Sequence, residues 1–393
     1  MNASISSTSS APAQRYYWVD VLRLTALLMV ILSHTVDIYN ATPQADSSAG
    51  FWGAFFGSLV RPSVPLFAMI TGFLLLPVQG DPLAFYKKRI PRVLFPMIFW
   101  SVLYYLVPWL TGILGCDLSI VKLFYPFEYS PSQSLTDALV NIAHIPVSFN
   151  GYTTHMWYIY MLIGLYLFLP FFSAWIEKDK EEGKGKLTRI FLILWSASLL
   201  IPFLYEIFSY EILGECAWNR FGLLYYFGGF TGYLLLGHVL GKKRHSWKKS
   251  RLIPICLALY ILGFVITYIG FRTLSTRYSY EEEPLLLEMF WQFCSPNVVI
   301  MAIGVFLLIR RVKVSSLKIQ SALRSFTKCS FGGYLMHYIF IGPVSMAYDA
   351  LGVHLPIPLL VPLIVLTVFG LCWTMAAILY KILPPKASKL ILG

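Results

Sequence analysis

Apolar residues run along this chain in blocks of about twenty, and polar residues are held to short segments between them. A helix needs about 20 mainly apolar residues to cross the hydrocarbon core of a bilayer. On that scale the pattern predicts spans near 17–39, 53–76, 94–114, 155–176, 188–208, 222–240, 252–270, 286–309, 330–350 and 357–383, with Pro202 and Glu206 interrupting the fifth. The first block is too long for the apolar core of a signal peptide, and no small-residue cleavage pattern follows it, so it reads as a span. The fold class expected is all-α, a polytopic membrane protein of about ten transmembrane helices. Residues 1–15 read as a disordered cytoplasmic tail, 16–385 as one membrane domain, and 386–393 as a second cytoplasmic tail.

Composition agrees with this pattern. Only 13% of the residues are charged and 57% are hydrophobic, whereas a soluble domain carries roughly 25% charged residues. The net charge of +12 changes the picture through its placement. Outside the spans, Lys122, Arg220, Arg272 and Arg277 are the only basic residues in the odd-to-even connections. Arg23 and Arg61 lie within spans, and the other 25 of the 31 fall at the opposite side or in the tails. That bias predicts both termini in the cytoplasm of a cell inner membrane. It also assigns the basic residues to an anionic leaflet, with no nucleic-acid partner.

Several chemistries lose support. There is no G-x-x-x-x-G-K-[ST] loop, no G-x-S-x-G elbow and no H-E-x-x-H. The six cysteines contain no C-x-x-C pair, and no metal-ligand cluster is visible. Cys116 and Cys216 either pair on the outer side or stay as thiols, with thiols favoured.

Ionisable groups inside spans are costly and mark function by default. The first span carries Asp20, Arg23, His34 and Asp37. Arg23 and His34 are eleven residues apart, so they share a helix face about 16 Å apart along the axis. Both are expected to look into one continuous polar passage. Asp37, one turn on, is placed to hold one imidazole nitrogen and leave the other as a base. The alternative is a histidine bonding a neighbouring helix. Arg61 stands in R-P-S-V-P, where two prolines interrupt the helical ladder; it either lines a polar cavity or snorkels outward. The loop KKRIPRVLFP presents Lys88, Arg89 and Arg92 as an anion-binding cluster or as a topology anchor. His155 and Trp157 open the fourth span, and Tyr334 and His337 lie in the ninth, where a structural hydrogen bond competes with a substrate contact.

These stretches together resemble the acyltransferase 3 family of integral membrane O-acyltransferases. The likeness rests on Arg23–ten residues–His34, on SVPLFAMITGFLLL with Gly72-Phe73, and on KKRIPRVLFP. HMWYIYMLIGLYLFLP and SFGGYLMHY extend it. The phrasing is nearest the enterobacterial common antigen O-acetyltransferase subgroup, although Thr71 stands where Ser commonly precedes Gly-Phe. The resemblance implies a stand-alone enzyme with no permanently bound cofactor. Its donor would be acetyl-CoA or another short acyl-CoA, and its acceptor a hydroxyl of a surface polysaccharide or lipid-linked glycan. His34 would be catalytic with Arg23, Arg89 and Arg92 would contact donor phosphates, and His155, Trp157 and His337 would line the cavity. The rival class is a transporter of a lipid-linked glycan or small solute, because broken helices and intramembrane charges occur there too. A matching second break five spans later is not visible.

Overall fold

The computed structural model describes residues 15–40, 47–208, 211–216, 218–242, 248–280 and 283–393. Apart from Arg15, the expected N-terminal tail lies outside the described residues, as do Lys243 and Arg244. Helix follows helix, and no strand forms among the described residues.

The first span is α1 (Tyr17–Thr35), which stops at Val36; the chain restarts as the short α2 (Asp37–Asn40). The second block breaks where its prolines predict. Helix α3 (Ser48–Leu59) begins under a Ser47 side chain that accepts from the Gly50 amide at 3.0 Å. Helix α4 (Ser63–Leu75) follows Pro62 directly, with Pro65 in its first turn where no amide is needed. The basic stretch expected as a loop is helical. Asp81 caps Ala84 at 2.7 Å and Pro82 sits at the first helical position, so α5 (Pro82–Ile113) starts well before the apolar block.

The long external connection folds into α6 (Leu118–Phe124) and α7 (Leu135–His144), and a 3-10 turn over Gly151–Met156 leads into α8 (Trp157–Glu181). Its aromatics divide: Tyr125 and Tyr152 are core residues and Tyr129 is exposed. The fifth block breaks into α9 (Lys186–Ser198) and α10 (Ile201–Phe208), just before Pro202. Then come α11 (Thr231–Lys242), α12 (Lys249–Leu274), α13 (Pro284–Leu287), α14 (Pro296–Ile309), α15 (Leu317–Ala350) and α16 (Ile357–Ile382). Eight stretches are long and apolar enough to cross a membrane. The two expected spans outside that set are α11, whose twelve residues reach only about 18 Å, and α15, whose stretch 330–350 is made less apolar by Gly332, Gly333, His337, Gly342 and Pro343. Of residues 386–393, expected as a tail, 386–392 lie in α17 (Pro385–Leu392), which docks on α5. Its Leu392 is fully buried and the Ile391 carbonyl accepts from Trp100 Nε1 at 2.9 Å. All six cysteines are free.

Helix α1 packs against α4, α14, α15 and α16. Val19, Leu22 and Ala26 enter one hydrophobic cluster, while Leu27, Val30 and Ile31 enter another. Arg23 and His34 are therefore carried on a helix whose other faces are fixed by packing. Short α11 is held by close approach to α4. A Cβ on Gly72 would stand 1.9 Å from the Leu234 carbonyl oxygen, and one on Gly237 2.0 Å from that of Met69. Backbone cannot yield there, so Gly72→Ala should destabilise the bundle by about 1–3 kcal/mol. A lowered Tm of the detergent-purified variant checks this, and a wild-type Tm contradicts it.

Candidate active site

Two larger cavities lie along α1, one toward each end, and a small one of about 40 Å³ is also lined by His34 and Thr35. The first, of about 630 Å³, lies at the end carrying the basic helix starts, within the range typical of ligand sites. Its lining includes Arg23, Arg89, Arg92, Lys328 and Lys389, and no Asp or Glu. None of the five cations makes an ion pair among the described residues. A partly enclosed set of unpaired cations favours an anionic ligand, and guanidinium forks suit phosphate. Lys88 lies outside this lining and is exposed. It stands about 100° round the helix from Arg89, which corrects its expected place in the cluster.

The second cavity, about 220 Å³, is lined by His34, Asp37, Arg61, His155, Trp157, Glu288 and Trp291, among others. The break after Val36 turns Asp37 back toward His34, and His34 Nδ1 donates to Asp37 Oδ2 at 2.7 Å. That bond commits Nδ1 and leaves Nε2 available as an acceptor of protons. The ring stands 5.3 Å from that of His337 and 6.4 Å from that of His155, centre to centre. His155 Nε2 donates to the Leu335 carbonyl at 3.3 Å, and His337 Nδ1 donates to that of Tyr334. His155 Nδ1, His337 Nε2 and the Tyr338 hydroxyl are buried without hydrogen-bond partners among the described residues. His337 itself lines neither cavity. Its place behind His34 corrects the expectation of a cavity-lining residue.

Arg61 faces inward, not outward to the interface. Its Nε donates to the Gly57 carbonyl at 2.9 Å, and its guanidinium lies 4.1 Å from the Trp291 ring centre. Trp291 is pinned in turn by its Nε1 donating to Ser58 Oγ at 3.0 Å. Across the same cavity Glu288 accepts from the Tyr280 hydroxyl at 3.1 Å. Sequence reading passed over Glu288, although an acid inside the eighth apolar block was a visible signal. Lys328 and Lys389 carried no local signal, because the packing of α15 and the docking of α17 on α5 bring them to the cavity of Arg89 and Arg92.

The expected single passage is corrected. Arg23 lines the first cavity and His34 the second. Between them on the same face Leu27 is packed into the core and lines neither cavity, while Val30 already lines the second. The two cavities share two lining residues, Tyr158 of α8 and Tyr334 of α15, whose rings meet at 5.5 Å. They form a common wall.

Asp37 is expected to act only through His34. Asp37→Asn keeps the shape but loses a charge-assisted bond worth about 1.5–3 kcal/mol, so turnover should fall about 10–100-fold. Steady-state rates on the folded variant measure this; unchanged turnover contradicts the orienting role.

A family model described as an acyltransferase domain matches residues 16–377. No curated protein and no solved structure matches the chain.

Proposed function

The chain belongs to this family of acyltransferases, and on that premise we propose that it is an O-acetyltransferase, nearest the enterobacterial common antigen subgroup. In this reading acetyl-CoA, or another short acyl-CoA, enters the cation-lined cavity from the cytoplasm. Its phosphates meet Arg89, Arg92, Lys328 and Lys389, and its thioester points past Arg23 to the shared wall. The acceptor is a hydroxyl of a surface polysaccharide or its lipid-linked precursor, entering the cavity of His34 from the far side of a cell inner membrane. Trp157, Trp291 and Arg61 give that cavity the aromatic faces and donors that a sugar ring uses, and Glu288 adds an acceptor.

The observation that carries the reading is the His34–Asp37 pair, one shared wall away from a cationic cavity. His34 Nε2 removes the proton as the acceptor oxygen attacks the acyl carbon. The carbon–sulfur bond breaks, sulfur leaves with the electron pair, and the proton ends on the released thiol. A variant route has His34 Nε2 take the acyl group first and pass it on. Single-turnover trapping separates the two: an acetylated His34 supports the covalent route, and none supports direct transfer. The function is tested with purified protein, labelled acetyl-CoA and lipid-linked glycan extracted from the source membrane. Label on the glycan is the expected result, and a transporter reading gains if donor neither binds nor reacts.

A further inference from the structure

The wall between the cavities is made by two tyrosines, and their hydroxyls are not equivalent. The Tyr334 hydroxyl is committed, since it donates to the carbonyl oxygen of His155. The Tyr158 hydroxyl has no hydrogen-bond partner among the described residues, yet it is not among the polar atoms sealed away without one. It therefore opens onto the space it lines. Its residue is 6% exposed, and the ring is held between Phe67 at 5.9 Å and Tyr334 at 5.5 Å. Arg23 acts on it electrostatically from the first cavity. The result is an immobilised O–H donor, uncommitted, at the junction where a thioester from one cavity meets a hydroxyl from the other.

We propose that Tyr158 is a catalytic residue, its hydroxyl donating a hydrogen bond to the carbonyl oxygen of the acyl group. This rests on the acyltransferase reading above. As the acceptor oxygen bonds to the acyl carbon, the carbonyl π pair moves onto oxygen, where Tyr158 O–H and the nearby Arg23 charge stabilise it. When the carbonyl re-forms, the carbon–sulfur bond breaks and sulfur leaves with its electrons. Tyr158 keeps its proton throughout. A donor fixed in advance in a site shielded from water is stronger than one in bulk solvent, because no reorganisation is needed when charge develops. A ring that only filled the wall would need no hydroxyl at all.

Two measurements on the full chain in detergent test this. Tyr158→Phe keeps the ring, so turnover should fall about 10²–10³-fold, the effect of one oxyanion donor. The dissociation constant for acetyl-CoA should rise by no more than about tenfold, the worth of one neutral hydrogen bond, and the KM for the acceptor should stay at its wild-type value. The second measurement is the infrared carbonyl stretch of acetyl-CoA labelled with carbon-13 at the carbonyl, bound to His34→Ala so that it does not react. The stretch should lie below that of free donor, and adding Tyr158→Phe should return it toward the free value. Wild-type turnover in Tyr158→Phe, or a bound stretch equal to the free one, overturns the proposal; the latter is read even where Tyr158→Phe does not fold. If the wild-type chain neither binds acetyl-CoA nor transfers the acetyl group, the acyltransferase donor reading itself has failed. Binding and transfer with an indifferent Tyr158 sink only the present inference.

Discussion

His34→Ala should lower acyl transfer by about 10²–10⁴-fold, the range a positioned general base contributes, while acetyl-CoA binding stays at its wild-type value. The split follows from geometry. His34 lines the second cavity and is absent from the lining of the first, where the cations that hold the donor lie. Its Nδ1 is tied to Asp37 at 2.7 Å, so the group lost on truncation is the free Nε2. The ring rests against His337 and Tyr338, each 5.3 Å away between centres. A loss of fold is therefore checked separately by Tm. Rates from labelled acetyl-CoA with the purified variant, together with the O-acetyl content of glycan from cells carrying it, measure the effect. Wild-type acylation in that variant would remove His34 from the chemistry.

The second large effect concerns the donor. Removing both Arg89 and Arg92 should raise the KM for acetyl-CoA by about 10²–10⁴-fold, because each charge-assisted bond contributes about 1.5–3 kcal/mol. Turnover at saturating donor should change little, since side chains that hold the donor phosphates bind substrate and transition state alike. Both residues face the 630 Å³ cavity, and neither has an acidic partner to be freed by the change. Lys88→Ala is the control. It sits one residue away with a similar charge but outside the lining, so its KM should stay within about twofold of wild type, as for an exposed charge whose contribution is small. Equal effects at Lys88 and Arg89 would mean that general basicity, not a built phosphate site, attracts the donor.

The parts of this arrangement that could be read from sequence are those set by short stretches of chain. Ten apolar blocks mark the helices. Arg23 and His34 share a face because eleven residues make nearly a whole number of turns. Asp37 meets His34 because three residues separate them, and the break at Arg61 follows from its flanking prolines. What was not legible depends on distant segments. The wall that divides the expected passage needs Tyr158 and Tyr334 to meet, although 176 residues separate them. Lys389 reaches the donor cavity only because α17 docks on α5, where Trp100 holds the Ile391 carbonyl, and Lys328 reaches it through the packing of α15 on α5. The helical start of α5 is readable from Asp81-Pro82, although the charges that follow it resemble those of a loop.

The position of the bound donor tests the two-cavity arrangement most directly. A cryo-electron-microscopy map of the His34→Ala protein with acetyl-CoA should show the phosphates among Arg89, Arg92, Lys328 and Lys389. The thioester should lie against Tyr158, on the Arg23 side of the wall. Donor density in the His34 cavity, or on a surface remote from both, would contradict it.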